Sequence, residues 1–186
     1  MDKLRLFISV PIDDPDIINP IVSFQDKLEV RGVKLVNPKL FHFSLHFLGD
    51  TDTDFIPKLE HCIANLQQNP FTLTLERTGV FPNLHNIKVI WIGVSKGSQE
   101  LISLQEQLIE PLKELDFKLD DRSYTPHLTI GRVKFLNPGS KRSIQQTIRD
   151  HQSSQFGSQV IKHMHLMQSI LTPEGPIYKS LFLKEL

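Results

Sequence analysis

Residues 41–49, Phe-His-Phe-Ser-Leu-His-Phe-Leu-Gly, alternate between apolar and polar side chains almost without a break. Successive side chains on a strand take opposite faces, so this segment reads as a half-buried strand. Phe41, Phe43, Leu45 and Phe47 fall on one face; His42, Ser44 and His46 fall on the other. A second segment, Pro126-His127-Leu128-Thr129-Ile130-Gly131-Arg132, sets His127 and Thr129 opposite Leu128 and Ile130 in the same way. Strict alternation turns Arg132 away from His127, and its access to that face depends on the strand ending or twisting at Gly131. One face of each strand is core, and the other is open to chemistry.

Outward from these strands, residues 4–10 alternate as an opening strand, and Asp13-Asp14-Pro15 reads as a helix cap followed by a first-turn proline. Ile17, Ile21, Phe24 and Leu28 recur at helical spacing, predicting a helix that contains Pro20 and ends near Gly32. A short strand over 33–36 and a turn at Asn37-Pro38 lead into a histidine strand over 40–48. Thr53 or Asp54 caps a second helix with the stripe Phe55, Leu59, Ile63 and Leu66, beside which Cys62 reads as a small core residue. Strands over 71–80 and 87–94 form a hairpin about Phe81-Pro82-Asn83, with Trp91 as core. Gly97-Ser98 opens a leucine-striped third helix with a kink at Pro111. A short strand near Phe117, a strand over 124–133, a fourth helix carrying Ile144 and Ile148, and strands over 160–171 and 177–183 complete the chain.

The order strand, strand, helix, strand, strand thus occurs around His42 and again around His127. It predicts one α+β domain over residues 1–186, with two pseudo-symmetric lobes of antiparallel sheet, helices outside and a central groove. Grooves between lobes are common small-molecule sites.

Composition sets the bounds. A chain of 186 residues with 39% apolar and 23% charged residues is an ordinary globular domain and not a disordered one. No run of 18 apolar residues occurs, and the N-terminus lacks the apolar core of a signal peptide; the expectation is a soluble cytoplasmic protein. A lone cysteine, Cys62, excludes an internal disulfide and fits a reducing compartment. The 21 basic and 21 acidic residues cancel, but their placement is uneven. Residues 30–49 contain Arg31, Lys34 and Lys39 and no carboxylate; residues 122–149 contain Arg122, Arg132, Lys134, Lys141, Arg142 and Arg149, again without one. Each window holds one histidine strand. A neutral chain polarised in this way suits a small anion such as a phosphate better than it suits a general polyanion.

The tripeptide His-x-Ser/Thr means little alone, because 23 Ser and Thr residues and eight histidines give about one match by chance. Three occur, and His151-Gln152-Ser153, at the end of a predicted helix, is the chance one. The other two share an amphipathic strand, a hydroxyl one pleat away and a basic window. Imidazoles with an ordinary pKa of about 6.5 offer both proton roles near neutrality. Hydroxyls beside them can donate to phosphoryl oxygens.

The pairing of HFSLHFLG at 42–49 with HLTIGR at 127–132 resembles the two-histidine phosphoesterases, whose signature is one H-x-[ST]-hydrophobic motif per lobe. The likeness extends through the opening strand, Gly79 to Asn83, Val89 to Val94, Tyr124-Thr125-Pro126 and Ser169 to Tyr178. Within that superfamily the chain is similar to the RNA 2′,3′-cyclic phosphodiesterases, also described as 2′-5′ RNA ligases. It departs at Leu35-Val36, where an aromatic residue is frequent, and at Ser44, where threonine is common. The resemblance implies His42 as proton donor to the 3′-oxygen, His127 as the base on water, and a 2′-phosphate product. The substrate it implies is RNA with a 2′,3′-cyclic phosphate end, or a cyclic nucleotide, handled by a monomer without cofactor. Spacing alone leaves open which histidine is acid and which is base. Ligation at the same site, and an RNA-binding module without turnover, are the alternatives.

Arg132, His46 and Tyr124 are the candidate substrate-side residues, with Tyr178 as a further groove residue. His42 and His46 are four apart, as in a helical zinc pair, but the segment reads as strand and no glutamate follows His42, so no metal role is expected. His163 and His165 share a strand face with no carboxylate or cysteine accompanying them within the strand and read as surface or groove-lining. His61 and His85 belong to no constellation.

Overall fold

A computed structural model describes residues 2–119 and 123–186; Arg122 of the second basic window lies outside them. Strands β1 (Lys3–Pro11), β3 (His42–Asp52), β8 (His163–Leu171) and β9 (Pro176–Glu185) form one antiparallel sheet in the order β3-β1-β8-β9. Strands β2 (Val33–Leu35), β6 (Leu128–Val133), β5 (Asn86–Lys96), β4 (Phe71–Asn83) and β7 (Gln155–Ile161) form the other, in the order β2-β6-β5-β4-β7. Of the helices, α1 (Pro15–Asp26) packs on β6 and β7, α2 (Ile56–Ala64) on β8 and β9, and α4 (Pro138–Asp150) on β4. Helix α3 (Ser98–Glu114) touches β3 of one sheet and β5 of the other. The architecture is the expected α+β pair of lobes. Among the described residues no helix is long and apolar enough to cross a membrane.

Local chemistry accounts for these elements. Asp14 caps α1, its carboxylate accepting from Asp16 N at 2.9 Å, and Pro15 fills the first turn, where no N–H is needed. Ile17, Ile21 and Phe24 form the buried stripe, and Gln25 is the fourth inward residue. The Gln25 amide donates to Val36 O at 2.9 Å and Ile130 O at 2.8 Å, tying α1 to the strand that follows His127. The inner faces of the sheets supply Leu6, Ile8 and Val10 on β1 and Ile90 and Ile92 on β5, all buried. Each such side chain stabilises the fold by about 1.5–3 kcal/mol.

Several elements differ from the sequence expectation. Phe117 starts no strand: its N–H bonds to Leu112 O and its ring packs edge-on against Phe55 at 5.5 Å, so it closes the end of α3. The run over 160–171 breaks at Lys162, giving β7 to one sheet and β8 to the other. Residues 124–127 precede β6 and are not part of it, and α1 stops short of Gly32. Strand β4 runs through Phe81 and Pro82, and the hairpin turns at Leu84-His85, where the Asn83 carboxamide accepts from the N–H groups of His85 and Asn86. Thr53 and Asp54 begin a 3₁₀ turn ahead of α2 and do not cap it. Strand β6 lies between α3 and α4 in the chain, so the strand-helix order around His42 does not recur around His127.

Candidate active site

Partners in an antiparallel ladder point to the same face, so the register decides which side chains meet. On β3, His42 pairs with Pro11 and Ser44 with Ser9, while Phe43 pairs with Val10 on the buried side. Between Ser44 and His46 the ladder slips: Ser9 faces Ser44 and Ile8 faces His46, leaving Leu45 as an extra residue. Such a bulge inverts the alternation beyond it. His46 therefore joins Ile8 on the core side, 8% exposed, and Phe47 emerges opposite Phe7 on the His42 side, 67% exposed. The expected grouping of His42, Ser44 and His46 is corrected on this point, because a strict period of two holds only where no residue is inserted.

The same device acts on β6 with the opposite result. Trp91 pairs with Thr129, Ile90 with Gly131 and Val89 with Arg132, leaving Ile130 as the extra residue. Trp91 and Val89 share a face, and so therefore do Thr129 and Arg132. The bulge returns Arg132 to the side from which strict alternation excludes it.

The two histidines sit in matching surroundings. His42 Nδ1 lies 2.7 Å from Leu40 O, and His127 Nδ1 lies 2.7 Å from Thr125 O, each carbonyl belonging to the residue two positions earlier. A carbonyl only accepts, so each Nδ1 carries the hydrogen and each Nε2 presents a lone pair. The Ser44 hydroxyl donates to His42 Nε2 at 3.0 Å. An aromatic ring stands nearly perpendicular to each imidazole: Tyr178 to His42 at 5.4 Å and 85°, Phe81 to His127 at 5.0 Å and 87°. Phe7 adds a second wall beside His42 at 5.1 Å. Leu40 is held for its part by the turn Pro38–Leu40, whose Asn37 cap accepts from Lys39 N at 3.0 Å.

One cation reaches both rings. Burial lowers the pKa of His42 and of His127, and in each case the Arg132 guanidinium pushes it down further, against the opposing backbone hydrogen bond. Arg132 also acts on Tyr178 of the other sheet, whose phenol burial pushes up. Strands β3 and β6 of the two sheets approach one another, and Arg132 acts on His42, His127 and Tyr178 alike, which brings these side chains into one neighbourhood, with Ser44 beside His42 and Thr129 on the Arg132 face of β6. In the free protein the surroundings of both imidazoles thus favour the neutral form.

The remaining candidates are placed as follows. Tyr124 packs against the apolar core, its hydroxyl buried without a hydrogen-bond partner among the described residues, and burial raises its pKa strongly. Trp91 is not in the core but half-buried on the groove side, opposite Gly79. Cys62 is likewise only partly buried. His165 pairs with Ser9 and shares the His42 face, with its ring 5.1 Å from that of His163. His151 ends α4, bonded to Thr147 O, and takes no part. Phe7 and Phe81 were not singled out by the sequence. A signal existed for Phe7, the one aromatic residue on the polar side of the alternating opening strand.

Known proteins resemble this chain over nearly its whole length. Residues 14–169 match the 2′-5′ RNA ligase superfamily. A protein of Archaeoglobus fulgidus named RNA 2′,3′-cyclic phosphodiesterase is 38% identical over 180 residues, covering 96% of this chain and 98% of its own. A protein of the same name from Methanocaldococcus jannaschii is 36% identical over 176 residues, covering 95% and 97%. The crystal structure of TT0787 from Thermus thermophilus matches with a TM-score of 0.84 at 26% identity, over 98% of each chain. Escherichia coli LigT in complex with 3′-AMP shares the fold, with a TM-score of 0.79 at 22% identity over 100% of this chain and 99% of its own.

Proposed function

Because the chain belongs to the 2′-5′ RNA ligase superfamily, and within it to the RNA 2′,3′-cyclic phosphodiesterase family, we propose that it opens the 2′,3′-cyclic phosphate at an RNA end, or on a cyclic nucleotide, to leave a 2′-phosphate. The observation that carries this reading is the matched pair of imidazoles, one on β3 and the other just ahead of β6 in the second sheet, each anchored through Nδ1 to a carbonyl and both within the field of Arg132.

In this scheme His127 Nε2 takes a proton from water as its oxygen bonds to phosphorus, and His42 gives a proton to the 3′-oxygen as the phosphorus–3′-oxygen bond breaks. The donor role requires a protonated His42, and the bound phosphate provides for it, since a nearby negative charge raises the pKa that burial and Arg132 hold down. Once His42 carries that proton, the Ser44 hydroxyl no longer has a lone pair to donate to and turns to a phosphoryl oxygen. Thr129 serves the same purpose beside His127, and Arg132 balances the charge that grows on the non-bridging oxygens. The two histidines supply both proton transfers, so the scheme calls on no cofactor or metal.

The test is incubation of an RNA oligomer ending in a 2′,3′-cyclic phosphate with a 5′-hydroxyl acceptor strand and excess chelator. Accumulation of the 2′-phosphate end is the expected outcome. A joined strand as the main product assigns the site to ligation, and stable binding with no product assigns it to recognition alone.

A further inference from the structure

Lys34 on β2 pairs with Arg132 on β6. Its neighbours Val33 and Leu35 pack against the core, so Lys34 and Arg132 both stand on the open side of the sheet, exposed. Like charges directly opposite one another across two strands repel, and a carboxylate beside them would relieve this. Among the described residues neither cation makes an ion pair: the acid-free windows surround both along the sequence, and Glu174, the carboxylate next to Gly175, pairs with neither. The Lys34 amine also reaches the other sheet, because a Cβ added to Gly175, in the turn between β8 and β9, would stand 3.5 Å from Nζ. Two unneutralised cations side by side, one acting on both histidines and the other one strand spacing of about 4.8 Å further out, are arranged for two anions in succession.

We propose that Lys34 binds the phosphate on the 5′ side of the terminal nucleoside, sharing Arg132 with the cyclic phosphate, and so makes the site select phosphorylated or chain-linked ends over bare cyclic nucleosides. This rests on the cyclic phosphodiesterase reading. That phosphate is either a 5′-monophosphate or the linkage to the preceding nucleotide, and both present the same oxygens.

The experiment compares Lys34→Gln with the wild type on three substrates: a nucleoside 2′,3′-cyclic phosphate with a free 5′-hydroxyl, the same compound with a 5′-phosphate, and a dinucleotide with a cyclic end. The ratio of KM for the 5′-phosphorylated compound, the dinucleotide or both to KM for the bare compound should rise roughly three- to tenfold, with kcat held. The substrate that responds identifies the source. The salt dependence of kcat/KM for the responding substrate should lose about 0.7 of a logarithmic unit per decade, one single-strand phosphate contact. Lys34→Arg should restore both. Unchanged ratios, or an equal loss on all three substrates, would overturn the assignment. If the wild type turns over none of them, the reaction itself is misread; Lys34 is then tested by titrating the protein with a dinucleotide 2′-phosphate, where unchanged affinity in Lys34→Gln overturns it as well.

Discussion

Replacing Gly79 with alanine should disable His127 from a distance. Gly79 pairs with Trp91, and a Cβ there would lie 2.2, 2.4 and 2.7 Å from three carbons of the indole. The indole has to retreat by about 1.2 Å, the difference between 2.2 Å and the 3.4 Å at which ordinary contact begins. It cannot do so alone. Its ring lies 5.2 Å from that of Phe81, and Phe81 meets His127 edge-on at 5.0 Å. The displacement is passed to an imidazole whose Nε2 must lie in line with a phosphorus atom, and misplacement by about 1 Å costs on the order of 100-fold in rate, about 2.7 kcal/mol. Overpacking should also lower stability by about 1–3 kcal/mol, so kcat on a nucleoside 2′,3′-cyclic phosphate is measured well below the variant's Tm. Phe81→Leu, which removes the intermediate ring without the clash, should lose less. A folded Gly79→Ala protein with kcat within threefold of wild type would refute the reasoning that these rings set the His127 position.

Three further outcomes follow from the site. Arg132→Gln removes a charge that depresses both imidazoles, so the His42 and His127 titrations followed by NMR should move to higher pH while kcat/KM falls about 100-fold; unmoved titrations would place the guanidinium elsewhere. The stability of the free protein should decline in mild acid: both folded-state pKa values lie below the ordinary 6.5, so the contribution is complete above that pH and is lost as pH falls through the folded values. Thermal unfolding between pH 7.5 and 5 checks this, and inorganic phosphate should diminish the loss. Ser44→Ala removes the hydroxyl 3.0 Å from His42 Nε2 and should lower kcat by roughly 10²-fold with little change in Tm; an equal change in KM with kcat intact would make Ser44 a ground-state contact only.

The histidine segments were legible as half-buried strands because their alternation is nearly complete. The inward helix stripes were legible too, since Ile17, Ile21 and Phe24 or Leu104, Leu108 and Leu112 repeat at the spacing one helix face requires. Bulges hid the rest. Nothing in Phe-Ser-Leu-His-Phe marks Leu45 as the extra residue, because it is apolar and buried in either register, yet its insertion decides that His46 is core and Phe47 is groove. Ile130 is silent for the same reason, and only the glycine after it hinted that Arg132 turns back. The division of residues 155–171 between two sheets was hidden because Lys162 breaks neither polarity pattern nor propensity; the break is set by which neighbours the strands find. Pairings of aromatic rings with imidazoles depend on contacts between Phe7, His42 and Tyr178, or between Phe81 and His127, that join distant parts of the chain and leave no local trace.

The most direct test is turnover of a 2′,3′-cyclic nucleotide by His42→Ala, His127→Ala and the double variant, each shown to be folded by its unfolding transition. Two groups serving one displacement predict that each single variant falls by roughly 10²- to 10⁴-fold or more and that the double variant is scarcely worse than either. Near-normal turnover in either single variant, or losses that multiply cleanly in the double, would contradict a shared phosphate between the two rings.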